Sequence, residues 1–197
     1  MAGPAARTRL FVAVWPGPGL IGWLRSLDRP SRPGLRWTTE AQWHVTLRFV
    51  GAVDADGTAA LRASLGDVAA GSSRTSRSSP SSRSSRSSPV MARAGPRPEA
   101  LRAGIWVLPV GGLEALAGAV EAATAAIGRP PPGRRFRGHV TLARARHPQA
   151  LRDLSAAAED VDETWEVPEI TLVQSTLLPD GARYEVVGRW SLGGGPV

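Results

Sequence analysis

The sequence predicts an α+β protein made of two similar lobes, with antiparallel-rich sheets lining a central groove and the helices outside. The main observation is a tetrapeptide, His-Val-Thr-Leu, at residues 44–47 and again at residues 139–142. Around each copy, a strand and a helix are predicted before the tetrapeptide and a helix after it, which is the pattern of a duplicated unit. With 42% apolar and 21% charged residues, the composition is that of an ordinary globular protein. We therefore expect residues 1–197 to form one bilobal, pseudo-twofold domain.

Hydrophobic patterns predict the elements of the first lobe. A β-branched and aromatic run predicts a strand at Leu10–Val14, which ends before a proline that would interrupt strand pairing. Apolar residues at helical spacing predict a helix from Pro18 to Leu27. The strand that carries the first tetrapeptide covers residues 43–50, and a helix is expected over residues 57–70.

Side chains along the first motif strand are expected to alternate between two faces, because a strand has a period of two residues. His44, Thr46 and Arg48 would then share one face. Their neighbours would point the other way, which favours a core position for Phe49. The first face would carry the row of polar side chains.

The second lobe and the end of the chain show the same kinds of pattern. An apolar run predicts a strand at Ile105–Val110, and an alanine-rich helix follows over residues 113–127. The second tetrapeptide strand is followed by a helix and two strands, with the bounds 136–144 for the motif strand, 148–158 for the helix, and 167–174 and 184–192 for the last strands. Pro179-Asp180-Gly181 predicts a turn that joins the last two strands into a hairpin.

Residues 72–88 form a low-complexity tract of eleven serines, four arginines, one threonine and one proline. The tract offers no aliphatic or aromatic side chain for burial, so it is predicted to be a solvated loop that extends to about residue 95. Without its four arginines, the formal net charge of +7 would be +3. Over half of the excess positive charge therefore lies in this loop rather than in a folded groove.

The composition narrows the classes of site that are available. The chain has no cysteine, which excludes disulfides and thiolate-ligated metals. All 24 basic residues are arginines, a bias that either GC-rich coding or binding to a polyanion explains. No apolar run approaches the roughly 18 residues that a membrane helix needs, so we expect no membrane contact and a cytoplasmic location.

The two tetrapeptides together predict a catalytic site. If their strands lie side by side, His44 and His139 face each other across one groove, together with Thr46 and Thr141. A neutral imidazole accepts a proton and a protonated one donates it, and the ordinary pKa of histidine, about 6.5, permits both forms near neutral pH. The threonine hydroxyls would bind phosphate oxygens. No HExxH pair or closely spaced carboxylate accompanies either histidine, so no metal ligation is expected.

Several segments resemble the two-histidine (2H) phosphoesterases, a family defined by paired His-x-Thr-x motifs. They are RLFVAV, RW followed by EAQWHVTLRFVG, RRFRGHVTLARAR and STLLPDGARYEV. Within that family, the chain is most similar to the bacterial RNA 2′,3′-cyclic phosphodiesterases, historically called 2′-5′ RNA ligases. The resemblance implies hydrolysis of a terminal 2′,3′-cyclic phosphate on RNA to a 2′-phosphate, without a cofactor.

The resemblance also implies a role for each motif residue. His44 is the proton donor, and His139 is the proton acceptor that activates water. Thr46 and Thr141 bind the phosphate. Four further residues are candidates for RNA contacts, namely Phe49 and Phe136 for stacking on a base and Arg135 and Arg144 for binding a phosphate. The expected partners are RNA 3′ ends or cyclic nucleotides, bound by a monomer; 2′-5′ ligation and a non-catalytic module that binds RNA or nucleotides are the alternatives.

Two features depart from the pattern of that family. Gly138 stands where relatives usually carry a proline. The Ser/Arg tract lies where relatives have an apolar strand, so that strand is either lost or supplied by another segment. A local slip of the reading frame is one explanation for the tract, and a basic arm that contacts RNA is an alternative to a simple loop.

Overall fold

The computed structural model describes residues 6–72, 88–102, 104–151, 154, 159–178 and 181–192. The described elements, in chain order, are β1 (Thr8–Val14), α1 (Pro18–Ser26), β2 (Leu35–Trp37), β3 (Val45–Val53), α2 (Ala55–Ser72), β4 (Met91–Ala94), β5 (Glu99–Arg102), β6 (Ile105–Gly111), α3 (Glu114–Thr124), β7 (His139–Ala145), β8 (Glu163–Glu166), β9 (Glu169–Leu178) and β10 (Gly181–Ser191). Two short 3₁₀ turns lie at Glu40–Gln42 and Pro148–Leu151. The strands predicted at both tetrapeptides are therefore present, as are the strands and helices predicted before them and the helix predicted after the first, with small differences in their ends.

Some predicted features lie partly or wholly outside the described residues. The predicted helix at 148–158 begins as the 3₁₀ turn Pro148–Leu151, and most of its remaining residues are not described. Residues 179–180 of the predicted hairpin turn and residues 73–87 of the Ser/Arg tract are also outside them.

The described strands form one continuous antiparallel sheet. Its order is β10-β9-β1-β3-β7-β6-β4-β8, with β2 also paired to β7 and β5 to β6. The two motif strands, β3 and β7, are neighbours in the middle and pair at one register position, Val45 opposite Val140. The predicted bilobal architecture is confirmed, because β1, β9 and β10 lie on the β3 side of this joint and β6, β4 and β8 lie on the β7 side.

A strand at Met91–Ala94 corrects the prediction that the loop extends to about residue 95. This strand pairs with β6 on one side and β8 on the other, and its Ala92 and Ala94 are fully buried. The sheet position that the Ser/Arg tract cannot fill is thus occupied by the segment that follows the tract. Sequence patterns missed it because its four residues, MARA, combine low β-propensity with short length.

The helices and the groove lie on opposite faces of the sheet. The main core joins the sheet to buried helical leucines, including Leu20 of α1, Leu65 of α2 and Leu116 of α3. The groove face of the first lobe carries a separate, smaller cluster of Phe11, Ala13 and Val173. The prediction of helices outside and a groove inside is therefore correct.

Each motif strand contains a β-bulge at the leucine of its tetrapeptide. In β3, Leu47 falls between the register pairs Ala13–Thr46 and Val12–Arg48; in β7, Leu142 falls between two register pairs in the same way. A bulge resets the alternation of side chains. Arg48 consequently points to the helix side and is 3% exposed, whereas Phe49 is 37% exposed on the groove side. The predicted faces of these two residues were wrong for this reason.

Candidate active site

His44 is held at the entrance to β3 by the 3₁₀ turn that precedes it. Its Nδ1 lies 2.8 Å from the carbonyl oxygen of Gln42. Gln42 is fixed in turn, because its side chain accepts a hydrogen bond from the Thr39 backbone N–H at 3.1 Å and donates one to the Ala182 carbonyl at 2.8 Å. The first histidine is therefore anchored through Gln42 to strand β10 of its own lobe.

His139 is held at the start of β7 in the same manner. Its Nδ1 lies 2.8 Å from the carbonyl oxygen of Arg137, two residues earlier. The guanidinium of Arg137 is itself bound to Glu99 of β5 at 3.1 Å. Both motif histidines therefore use the carbonyl at position i−2 as an anchor.

These two hydrogen bonds define the tautomers of the imidazoles. A carbonyl oxygen only accepts, so the Nδ1 of His44 and of His139 each carries the hydrogen when the ring is neutral. The Nε2 atoms are then the basic nitrogens of the pair. Each ring can use Nε2 to accept a proton, or to donate one once it is protonated.

The register of the motif strands brings four polar side chains together. Because Val45 lies opposite Val140 in antiparallel strands, continuing the register by one residue sets His44 across from Thr141 and Thr46 across from His139. Thr46 and Thr141 are half-buried. In the part of the chain that is described, neither threonine hydroxyl has a hydrogen-bond partner, so both are available to a bound anion.

Aromatic rings surround His44. Its ring centroid lies 4.8 Å from that of Phe11, 5.0 Å from that of Tyr184 and 6.0 Å from that of Trp15. Burial among these rings lowers the pKa of His44 to about 4, because a charged imidazole loses hydration there. The hydrogen bond to Gln42 acts in the opposite direction, and the positive charge of His139 adds to the lowering.

Arginines surround His139 instead. Burial is the largest cause that lowers the pKa of His139, and the charges of Arg137, Arg144 and Arg102 lower it further. The hydrogen bond to the Arg137 carbonyl partly offsets these effects. The site therefore combines two imidazoles that favour the neutral form with a positive field that attracts an anion.

The four residues predicted to contact RNA lie in different environments. Phe49 and Arg144 occupy equivalent positions just past the two bulges, and both are exposed on the groove side. Arg135 is exposed in the segment before β7. Phe136 packs half-buried against the main core, so the structure does not place it with the histidines.

Two parts of the site were missed from sequence. Gln42 was overlooked although Thr39 and Gln42 form a capping box, for which the Thr-x-x-Gln spacing is a visible signal. Tyr184 was placed in a predicted strand but not near His44, because no local pattern connects residues so far apart in the chain.

Two features are absent from the described residues. No group of three or more His, Asp or Glu side chains among them is arranged to hold a metal ion. Within the same residues, no helix has the length and apolar character needed to cross a membrane. Independence from metal stays a prediction.

Comparisons with known proteins agree with this architecture. A family model described as LigT-like phosphoesterase matches residues 14–86 and 108–184. A crystal structure from Thermus thermophilus is 24% identical, with a TM-score of 0.68 and coverage of 93% of this chain and 97% of that one. E. coli LigT with 3′-AMP is 23% identical, with a TM-score of 0.67 and coverage of 94% and 98%. A further structure, described as a phosphoesterase, is 25% identical, with a TM-score of 0.61 and coverage of 94% and 98%. No curated protein matches the chain significantly.

Proposed function

The chain belongs to the family of LigT-like phosphoesterases, and from that premise we propose that it hydrolyses 2′,3′-cyclic phosphate ends of RNA to 2′-phosphates. The observation that carries the proposal is the register of the two motif strands. It sets each histidine across from the threonine of the other motif, so that one phosphate can contact both pairs at once. Acid, base and anion-binding groups are thereby present around a single phosphorus.

The reaction proceeds by in-line displacement. His139 accepts a proton from water through Nε2 as the water oxygen forms a bond to phosphorus. The bond from phosphorus to the 3′ oxygen breaks, and His44 gives its Nε2 proton to that oxygen. Thr46 and Thr141 donate hydrogen bonds to the non-bridging oxygens, where negative charge accumulates. The products are a 2′-phosphate and a free 3′ hydroxyl.

The substrate supplies the charge that this mechanism requires. A pKa of about 4 leaves His44 largely neutral in the free enzyme at neutral pH. A cyclic phosphate carries one negative charge, and an anion beside an imidazole raises its pKa. Substrate binding therefore favours the singly protonated pair that catalysis uses. The assignment of His44 as donor and His139 as acceptor rests on the family resemblance, since the geometry is nearly symmetric.

The residues around the site suit a nucleotide substrate. E. coli LigT has been crystallised with 3′-AMP and with NADP+. In this chain, Phe49 and Arg144 are exposed on the groove side, each three residues after the threonine of its motif, where a base or a phosphate would contact them. We accordingly propose RNA 3′ ends as the substrate class, acted on by a monomer in the cytoplasm.

The test is hydrolysis of a short RNA that ends in a 2′,3′-cyclic phosphate, in the presence of excess chelator. His44→Ala and His139→Ala should each lower kcat by about 10²- to 10⁴-fold, the usual contribution of one acid or base. His147→Ala is the matched control, because His147 is exposed and outside both motifs. Its activity should equal that of the wild type.

Other outcomes would lead to different conclusions. Loss of activity with the chelator would contradict a metal-free reaction. Joining of a 2′-phosphorylated or cyclic end to a 5′ hydroxyl would favour ligation, which uses the same two histidines in reverse. RNA binding that survives both alanine substitutions, with no turnover by the wild type, would favour a non-catalytic binding module.

A further inference from the structure

A cavity of about 490 Å³ adjoins the groove beyond Phe49. It is lined by Arg7, Arg9, Arg129 and Phe49, together with residues 51, 52 and 128. Three arginines and one aromatic residue thus line the same cavity. This combination provides donors for phosphate and a flat surface for a nucleotide.

The side chain of Arg9 extends from the cavity toward the candidate active site. Arg9 lies opposite Ala52 in the sheet, yet its guanidinium carbon is 4.8 Å from the centroid of the Phe49 ring. The side chain therefore extends back along β3, in the direction of Thr46. Phe49 and Thr46 are three residues apart, a separation of about 10 Å along a strand.

Arg129 is held in place by the buried Arg48. The guanidinium of Arg48 donates hydrogen bonds of 3.0 Å to the carbonyls of Ile127 and Arg129, and it also binds the end of α3 at Thr124. The backbone N–H of Arg129 donates to Val50 at 2.7 Å. The wall that carries the Arg129 side chain is thereby fixed to β3, and its position does not depend on a bound ligand.

The three cavity arginines differ in their partners from several exposed arginines of the fold that form ion pairs. Arg93 and Arg97, for example, are bound to carboxylates at 2.6 Å. Among the residues that are described, no carboxylate forms an ion pair with Arg7, Arg9 or Arg129. Their positive charges are therefore not neutralised within the described fold and are available to an anion.

We propose that this cavity binds the phosphodiester on the 5′ side of the terminal nucleotide, so that the protein prefers an RNA end over a mononucleotide. The inference rests on the proposed function. A cyclic mononucleotide has one phosphate, which the histidines and threonines bind, and it leaves the arginine cavity empty. An RNA end has a second phosphate separated from the first by one ribose, on the side where the Arg9 guanidinium extends back over Phe49.

The experiment compares three substrates by kcat/KM. They are a nucleoside 2′,3′-cyclic phosphate, a dinucleotide ending in the same group, and that dinucleotide with an uncharged methylphosphonate linkage. The wild type should prefer the charged dinucleotide over the methylphosphonate by about tenfold, the value of a charge-assisted hydrogen bond at a partly exposed site. In Arg9→Gln and Arg129→Gln, the ratio should approach one. Arg93→Gln removes the same charge on β4 and should keep the wild-type ratio.

Each alternative outcome contradicts a defined claim. A wild-type ratio near one, or a ratio that persists in Arg9→Gln and Arg129→Gln, would overturn the cavity assignment while leaving the hydrolase intact. If no substrate were hydrolysed, the proposed function would fail, and the cavity would then be tested by fluorescence anisotropy with the charged and uncharged dinucleotides. Equal affinities for the two would overturn the inference.

Discussion

The two tetrapeptide regions have the same backbone design but different surroundings. In both, the histidine Nδ1 binds the carbonyl at i−2 at 2.8 Å and a bulge follows at the leucine. Around His44 the neighbours are aromatic rings, whereas around His139 they are arginines. Just past the bulges, Arg48 in the first lobe corresponds to Ala143 in the second.

The comparison separates what the repeat provides from what each lobe adds. The repeat provides paired imidazoles and hydroxyls in equivalent geometry. Burial is the largest cause of the lowered pKa at both histidines, and the charge of Arg144 lowers both pKa values. The lobes differ in that aromatic rings contact His44, whereas Arg137 and Arg102 add to the lowering at His139. Any chemical inequality between the two imidazoles therefore depends on residues outside the tetrapeptides.

After the histidine substitutions, the largest effect is expected from removing the threonine hydroxyls, which tests whether the two motifs contribute equally. Thr46→Val and Thr141→Val keep the shape of the side chain and remove one donor to the phosphate. Each should lower kcat by about 10²-fold, since the loss of one such donor costs roughly 10²–10³. Steady-state hydrolysis of the cyclic RNA end measures this.

The matched control is Thr164→Val on the exposed face of β8, which should retain full activity. A loss confined to one motif would show that the phosphate is bound by one lobe only. That result would contradict the equal roles inferred from the register.

A large effect on stability is expected at residue 48, where the first lobe has a buried arginine and the second lobe has Ala143. Arg48→Met removes the donors to the carbonyls of Thr124, Ile127 and Arg129 and leaves buried acceptors without partners. The free energy of unfolding should fall by about 3 kcal/mol. Urea denaturation of the variant and the wild type measures the difference.

Arg62→Met serves as the control for Arg48→Met. Arg62 also donates to a carbonyl, that of Val187, but at an exposed site. Its replacement should change the free energy of unfolding by less than about 1 kcal/mol. Similar losses in the two variants would contradict a specific structural role for the buried guanidinium.

A smaller effect is expected on the pH dependence. Both imidazoles have pKa values below 6.5, so the singly protonated pair becomes rarer as the pH rises above that value. The kcat/KM should therefore reach its maximum below pH 6.5.

Tyr184→Ser admits water to the His44 ring, and the pKa of His44 should rise from about 4 toward 6.5. NMR titration of the ring protons measures it.

Tyr184→Phe keeps the ring against His44 and removes only the hydroxyl. The pKa of His44 in this variant should stay near 4. If both Tyr184 variants titrated alike, burial by the aromatic ring would not be the cause of the lowered pKa.

Sequence reasoning predicted the elements that repeat or that have a strong apolar period. The duplicated tetrapeptide located the histidines and threonines, and helical spacing located α1, α2 and α3. The bulges were not predictable from alternation, because they depend on how a motif strand pairs with its neighbour. That single feature exchanged the expected faces of Arg48 and Phe49.

The missed strands have a different explanation. β4 and β8 have four residues each, and each is stabilised by pairing with the other rather than by its own composition. The setting of His44 depends on contacts between residues far apart in the chain, such as Gln42 with Ala182. Contacts of this kind follow from the tertiary fold, and no local window of sequence contains them.

The joint between β3 and β7 has a mechanical consequence. Each lobe keeps its own imidazole in place with its own ladder of hydrogen bonds, whereas one register pair, Val45 with Val140, connects the motif strands. The segment that leads to His44 is also bound to β7, because β2 pairs with β7 at three positions and Thr38 donates hydrogen bonds to the carbonyls of Thr141 and Leu142. The spacing of the two imidazoles is therefore set by the fold on both sides of the joint, before any ligand binds.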